Sequence, residues 1–356
     1  MDNIVANIAR LIYQNDSSNS DHGLMNGNTA KCIFFYGLAR STSDLNYEKI
    51  ADNLLEKVFS NLSISSKSDF EHGLSGIGWG IEYLLQNGFA EGNADEILEE
   101  LDNKIFRELN ENDHKSFELT TGLTGYFFYL ISRLKDVKNS DSMAKRINRE
   151  LLIVTINKID ILVTNQFPDI VKEINFDLFW RFPAVLFGLK EAFKLNVFNE
   201  KIICIIRQWV PLFESYIPSL HINRLFIALI LNQINTLIPD SRLEKQIRIL
   251  VFATDFEQLK SEVDHNDLSI RFGWPGIAWL LNRAAFEFST DYPNYHLFTK
   301  SYFEITEIHK DQLEKLILDV QDDRLNRFNN LSGLTGIGIL ELLWPGVLTG
   351  SGSQNS

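Results

Sequence analysis

The stretch His72-Gly73-Leu74-Ser75-Gly76-Ile77-Gly78 decides the fold, because it does not stand alone. Gly-x-x-Gly followed by an apolar, helix-forming run returns at Thr121-Gly122-Leu123-Thr124-Gly125-Tyr126, at Phe272-Gly273-Trp274-Pro275-Gly276-Ile277-Ala278 and at Ser332-Gly333-Leu334-Thr335-Gly336-Ile337-Gly338. A weaker first copy, Asn26-Gly27-Asn28-Thr29-Ala30, runs into Cys32-Ile33-Phe34-Phe35-Tyr36. Two degenerate copies fill the middle: Trp180-Arg181-Phe182-Pro183-Ala184-Val185-Leu186 and His221-Ile222-Asn223-Arg224-Leu225-Phe226-Ile227-Ala228. With the second glycine or its replacement as anchor, the seven copies stand at 30, 76, 125, 184, 226, 276 and 336, with 42 to 60 residues between neighbours. A repeat of that length holds two helices and two loops.

The segments between copies are charged and amphipathic. From Asn93 to Leu109, Ile97, Leu98, Leu101, Ile105 and Leu109 share one face, and Asn93 with Glu96 forms a capping pair. From Tyr47 to Leu62 the same holds for Ile50, Leu54, Leu55, Val58 and Leu62. Such helices are half-buried. The runs after each Gly-x-x-Gly, such as Ile77 to Leu85 and Tyr126 to Leu134, are apolar nearly all round and belong inside. Seven of each predict an all-α protein: an α/α toroid of helical hairpins, with an inner ring around a central cavity and an outer ring. An open solenoid would expose the apolar inner face. The expected organisation is one domain over 1–348 with a flexible tail over 349–356. Glycine permits the tight turns and close helix approach required near the axis. Bare amides at the inner-helix starts would make one end of the cavity a natural anion or carboxylate site.

Composition narrows the function. A net charge of −13, spread along all 356 residues, argues against nucleic-acid binding, which needs a basic stripe. It suits plain solubility or a basic peptide partner. Cys32 and Cys204 are the only cysteines and both fall in apolar helical runs, so buried free thiols in a reducing compartment are expected. No apolar run approaches the ~20 residues that span a bilayer, and no signal-peptide core opens the chain. These features predict a cytoplasmic protein. Phosphate loop, dinucleotide fingerprint, HExxH and nucleophile elbow are all lacking from the sequence, which leaves the cavity as the functional feature.

Gly-Leu-x-Gly-Ile at the head of an inner helix, in copies spread over nearly the whole chain, resembles the LanC family of lanthionine synthetase cyclases. The resemblance implies an α/α toroid with one zinc ion at the cavity mouth. In the family, the zinc ligands are a Cys in a Trp-Cys-x-Gly-x-Pro-Gly copy and a Cys-His pair in the next copy. The zinc activates a peptide cysteine that adds to a dehydrated Ser or Thr. Here His221 stands at the first cysteine position, and Arg271-Phe272 replaces the Cys-His pair. Zinc needs three or four N, S or O ligands. The resemblance therefore implies a divergent member without the usual zinc site: no cofactor, with zinc only if the site is rearranged, and no metal residues.

Several residues stand out as site candidates. His72 and His221 are the candidate catalytic residues, as acid/base groups or ligands at the mouth. Their alternative is a helix-start histidine bonded to a neighbouring loop. Arg181, Arg224 and Arg271 fall within three consecutive copies and could clamp an anion or peptide carboxylate. Pairing with acids such as Asp177, Asp267 or Glu118 is the plainer role. Asp69, Glu71, Glu118, Asp177 and Asp267 precede their motifs and could supply an acid/base pair or cap helices. Trp180 and Trp274, with Trp79, Trp279 and Tyr126, could line the wall and grip a peptide or sugar. The substrate-binding set is thus Arg181, Arg224, Arg271, Trp180, Trp274, Asp177, Asp267 and Glu71.

The leading reading is a LanC-like protein of lanthipeptide maturation. It would bind a precursor peptide or a partner modifying enzyme at the mouth, with no nucleic acid and no membrane span. Two enzyme readings stand beside it: a cyclase with a rearranged zinc site, and a carboxylate-based toroid enzyme acting on a sugar. A scaffold with a filled cavity is the remaining possibility.

Overall fold

The computed structural model of the chain describes residues 2–14, 21–63, 66–112, 116–135, 142–173, 175–264, 266–288, 292, 295–318, 330–345 and 347–348. The tail 349–356 lies outside the described residues. In chain order the helices are α1 (Asp2–Gln14), α2 (Asn28–Thr42), α3 (Leu45–Ser60), α4 (Leu74–Gln86), α5 (Ala94–Ile97), α6 (Glu99–Glu111), α7 (Leu123–Lys135), α8 (Met143–Ile170), α9 (Arg181–Lys194), α10 (Asn199–Glu214), α11 (His221–Leu237), α12 (Ser241–Phe252), α13 (Phe256–Ser261), α14 (Trp274–Glu287), α15 (Tyr295–Leu318) and α16 (Leu334–Leu343). Among the described residues there is no strand.

The seven helices that follow the motif copies, α2, α4, α7, α9, α11, α14 and α16, form the inner ring of an α/α toroid. Their outer partners are α3, α6, α8, α10, α12 and α15. Among the described residues no outer helix follows the last inner helix. Instead α1 packs on α16 and on α15, while α16 packs on α2, so the N-terminal helix closes the ring. The half-buried helices follow their sequence pattern. In α3, Ala51, Leu54 and Val58 are buried, and Asp44 caps the start by accepting from the Asn46 amide at 2.9 Å. The segment expected as one helix from Asn93 to Leu109 breaks into α5 and α6, because Leu98 leaves helical geometry while staying wholly buried. Asn93 caps α5 through the Asp95 amide, and its side-chain amide donates to Glu96 at 2.7 Å.

Cys32 is buried, whereas Cys204 is exposed, against expectation. The buried face of α10 carries Ile202, Ile205, Ile206, Trp209, Val210 and Phe213, and Cys204 falls on the opposite side of that helix.

Two polar clusters stiffen the rings. Arg133, 0% exposed, binds Glu82, Asp95 at 2.9 Å and Asp102 at 2.8 Å, tying together α4, α5, α6 and α7. The Tyr129 hydroxyl also donates to Asp102, at 2.6 Å. At the C-terminal ends of the inner helices, Lys135 pairs with Glu191 at 2.7 Å and Lys190 donates to Gln233 at 2.8 Å. Gln233 donates to Glu287 at 2.6 Å, continuing the belt to α14. This belt links α7, α9, α11 and α14 at that end, and the opposite end, where the motifs lie, is taken as the mouth.

Candidate functional site: the mouth of the toroid

Each inner helix is entered through a short rim loop that ends in the motif. The second glycine is required where the rim loop crosses it: a Cβ on Gly76 would lie 2.1 Å from the Phe70 carbonyl oxygen, and one on Gly276 would lie 2.0 Å from that of Ile270. The first helical amides are not bare, as expected from sequence, but already bonded. Leu74, Leu123 and Asn28 donate to the carbonyls of Lys67, Ser116 and Asp21 at 2.9, 2.9 and 3.0 Å. At these three helix starts the first amide is therefore not open to an anion, unlike the bare amides expected.

The rim loops are laced together by main-chain bonds. Met25 N–H donates to Glu71 O at 3.1 Å, Glu71 to Thr120 at 3.0 Å, Leu178 to Arg271 at 2.8 Å, Ile270 to Ser332 at 2.6 Å and Leu331 to Met25 at 2.8 Å. Copies one, two and three are thus joined in order, as are six, seven and one. The fourth copy, however, bonds directly to the sixth. The fifth is displaced from the rim, and its residue in the equivalent place, Pro218, has no amide hydrogen to donate.

This rim corrects the register of the degenerate copies. In the clear copies the first glycine is the N-cap, as with Gly73 and Gly273. In the fourth and fifth copies the N-caps are Trp180 and Leu220. The anchors are therefore residues 183 and 223 rather than 184 and 226. His221 opens α11 three residues after the position that aligns with the family cysteine, which Pro218 occupies.

The candidate residues fall into three groups. Arg271, Asp177, Arg181 and Glu71 meet at the mouth. Arg271 grips Asp177 with both arms, Nε and Nη2 each at 2.9 Å, and lies over the rings of Phe179 and Phe272. Burial works against the Arg271 charge, but the bonds to Asp177 and the nearby charges of Asp177, Glu118 and Glu71 outweigh it and raise its pKa. Arg181 donates to Glu118 at 2.6 Å. His72, 43% exposed at its side chain, holds Nδ1 2.5 Å from Asp21 and Nε2 3.6 Å from Glu71, which also accepts from Asn26 at 2.8 Å. Asp267 lies in a neighbouring cleft of about 380 Å³ with Asp264, Ser269, Phe272 and Asn330.

His221 and Arg224 belong to the displaced fifth copy. His221 is 7% exposed. Its Nδ1 faces two donors, the Asp255 amide at 2.8 Å and Arg224 at 3.0 Å, so it accepts, and Nε2 donates to Gln258 at 2.7 Å. Both ring nitrogens are engaged, which removes His221 from acid/base or ligand duty in this arrangement. Arg224 is held by the carbonyls of Pro218 and Ala253. Sequence reasoning missed Glu173 and Glu262, which stabilise this loop: Glu173 accepts from the amides of Ser219 and Leu220, and Glu262 from those of His221 and Ile222. Nothing local in the sequence pairs them with the loop, because they lie some forty residues away.

Trp274 and Trp180 face outward, a correction to their placement on the inner wall. Trp274 is 0% exposed and stacks on His309 of α15, and Trp180 packs against Tyr216. The inner wall is lined by Trp79, Phe128, Phe187 and Trp279, with Phe128 and Phe187 stacked 5.8 Å apart between α7 and α9.

The zinc site implied by the resemblance is not matched by these donors. Pro218 and Phe272 carry no ligand atom, and Arg271 is a fixed cation committed to Asp177. Among the described residues no three His, Cys, Asp or Glu side chains are grouped as a metal centre requires.

Residues 18–171 match the model of the lanthionine synthetase C-like protein family. Among solved structures, a nisin cyclase shares the fold with a TM-score of 0.66, over 98% of this chain and 98% of its own, at 16% identity. No curated protein matches significantly. The chain thus resembles the lanthionine synthetase C-like family over that stretch, and its α/α toroid is the fold of the nisin cyclase.

Proposed function

We propose that this LanC-like toroid acts in the maturation of a peptide natural product, binding a precursor peptide or its modifying enzyme at the mouth without zinc chemistry. The observation that carries this reading is the Arg271–Asp177 clamp: a guanidinium sits where the family places a metal ligand, and it joins the fourth copy to the sixth. We assign the protein to the cytoplasm; no helix among the described residues is long and apolar enough to cross a membrane. The test is calorimetric titration of the purified protein with the peptides and maturation enzymes encoded beside it. Saturable binding is expected, weakened by Phe272→Asp at the mouth. Failure of every such partner to bind overturns the reading.

A second reading keeps acid/base chemistry, favoured by the 2.5 Å contact of His72 with Asp21. There, Asp21 would orient His72 so that Nε2 takes a proton from a peptide thiol. It requires thioether formation by the purified protein and its loss on His72→Ala.

A further inference from the structure

We infer that an apolar chamber under the rim seats one bulky apolar side chain of a cationic peptide. This rests on the peptide-binding reading and names the chemistry of the peptide. The chamber measures about 180 Å³ and lies between the fourth, sixth and seventh copies, walled by Leu178, Ile270, Trp279, Leu331, Ile339 and Trp344. Its upper wall, Leu178, Ile270 and Leu331, is the rim itself, whose main-chain groups are already bonded around the ring. An apolar protein cavity of about 150 Å³ accepts benzene. The present chamber therefore suits a Phe ring or a Leu side chain and excludes a stretch of polar backbone. Gly276 and Gly336 also line it, and neither can grow a side chain to fill it: a Cβ would fall 2.0 Å from the Ile270 oxygen and 1.8 Å from the Leu331 oxygen.

The charge around the chamber selects the rest of the peptide. Asp177 adjoins Leu178, Asp264 and Asp267 line the next cleft, and Glu118 and Glu71 are near enough to act on Arg271. The guanidiniums of Arg181 and Arg271 neutralise Glu118 and Asp177, which leaves Glu71, Asp264 and Asp267 as the excess negative charge of this group. The chain as a whole carries −13. An acidic rim over an apolar seat is complementary to lysine or arginine flanking one large apolar residue.

The experiment titrates the full chain with a capped twelve-residue Gly/Lys peptide bearing one central Phe. Its Phe→Ala and its Lys→Glu counterparts are run alongside, at fixed salt, followed by calorimetry. The Phe peptide should bind roughly ten- to hundredfold more tightly than the Ala peptide. The Glu peptide should not bind, and free indole should compete with the Phe peptide. Ile339→Trp, which fills the chamber, should reduce the Phe peptide to the affinity of the Ala peptide. Should that variant fail to fold, indole competition on the unaltered protein decides. Equal affinity of the Phe and Ala peptides, or no binding of either, overturns the inference. The two readings separate cleanly. If a neighbouring-gene partner binds but indole does not displace it, the chamber inference falls and the binding reading stands. If the Phe peptide binds and no such partner does, the chamber stands and the maturation reading falls.

Discussion

Replacing Arg271 by Met keeps an apolar side chain of similar reach and removes the guanidinium, which lies over the rings of Phe179 and Phe272 and bridges the fourth and sixth copies. The pair is bidentate, with both bonds at 2.9 Å, and each partner's side chain is about one quarter exposed, 23% and 24%. Solvent screening lowers its worth, while the fork geometry raises it above an ordinary surface pair, so a coupling of about 1–2 kcal/mol is expected. Asp177 keeps one partner in the variant, the Phe179 amide at 2.8 Å, which limits the single-site cost to about 2 kcal/mol. For a chain of this length 1 kcal/mol moves the melting point by roughly 1.3 °C, so urea unfolding is the more sensitive assay. The Arg271→Met and Asp177→Asn variants and their combination form a double-mutant cycle. Hydrogen exchange adds a local readout, because the Leu178 amide donates to the Arg271 carbonyl. It should exchange several-fold faster in Arg271→Met. A coupling under about 0.3 kcal/mol, within the additivity expected of independent sites, together with unchanged exchange at Leu178, would refute the view that this pair holds the rim.

Other positions give sharper or more local effects. Gly276→Ala drives a Cβ to 2.0 Å from the Ile270 oxygen and should cost about 3 kcal/mol or more by urea unfolding, whereas Gly88→Ala, at φ +66 with nothing within 4 Å, should cost only about 1 kcal/mol. Arg133→Met leaves Glu82 and its companions buried without their cation and should cost about 3–5 kcal/mol, lowering the yield of folded protein. Burial pushes the Glu191 carboxyl up, but the Lys135 bond and the Lys135, Lys190 and Lys194 charges outweigh it and bring its pKa to about 2, below its ordinary 4.5. Its stabilisation is therefore complete above pH 4.5 and fades as pH falls toward 2. Glu191→Gln should be about 2 kcal/mol less stable at pH 7, with the gap to the parent narrowing between pH 4.5 and 3 in denaturant titrations.

The fold was legible because glycine marks a steric requirement. Where both glycines are present, α4, α7, α14 and α16 start two residues before the anchor glycine, at Leu74, Leu123, Trp274 and Leu334. Where they are absent, apolar periodicity alone could not fix the register, and the fourth and fifth copies slid by one and three residues. Prolines held the missing signal. Pro183 falls in the first turn of α9, where it is tolerated, and Pro218 takes the fifth copy out of the rim ladder. Helical geometry also separates the tryptophans: Trp274 and Trp279 are five residues apart, about 140° around the helix, so only one can face the cavity. The pairing of Arg271 with Asp177 follows from the displacement of the fifth copy, a long-range event with no local trace. The same is true of the Glu173 and Glu262 caps.

On the proposed function, the Arg271–Asp177 ion pair holds the mouth in place of a zinc centre. The most direct measurement is the zinc content of the untagged protein, purified without chelators, by plasma mass spectrometry. Zinc far below one per chain, with a melting temperature indifferent to EDTA, is the predicted result. One zinc per chain, lost on His72→Ala, would overturn the zinc-free function and restore metal-dependent cyclisation.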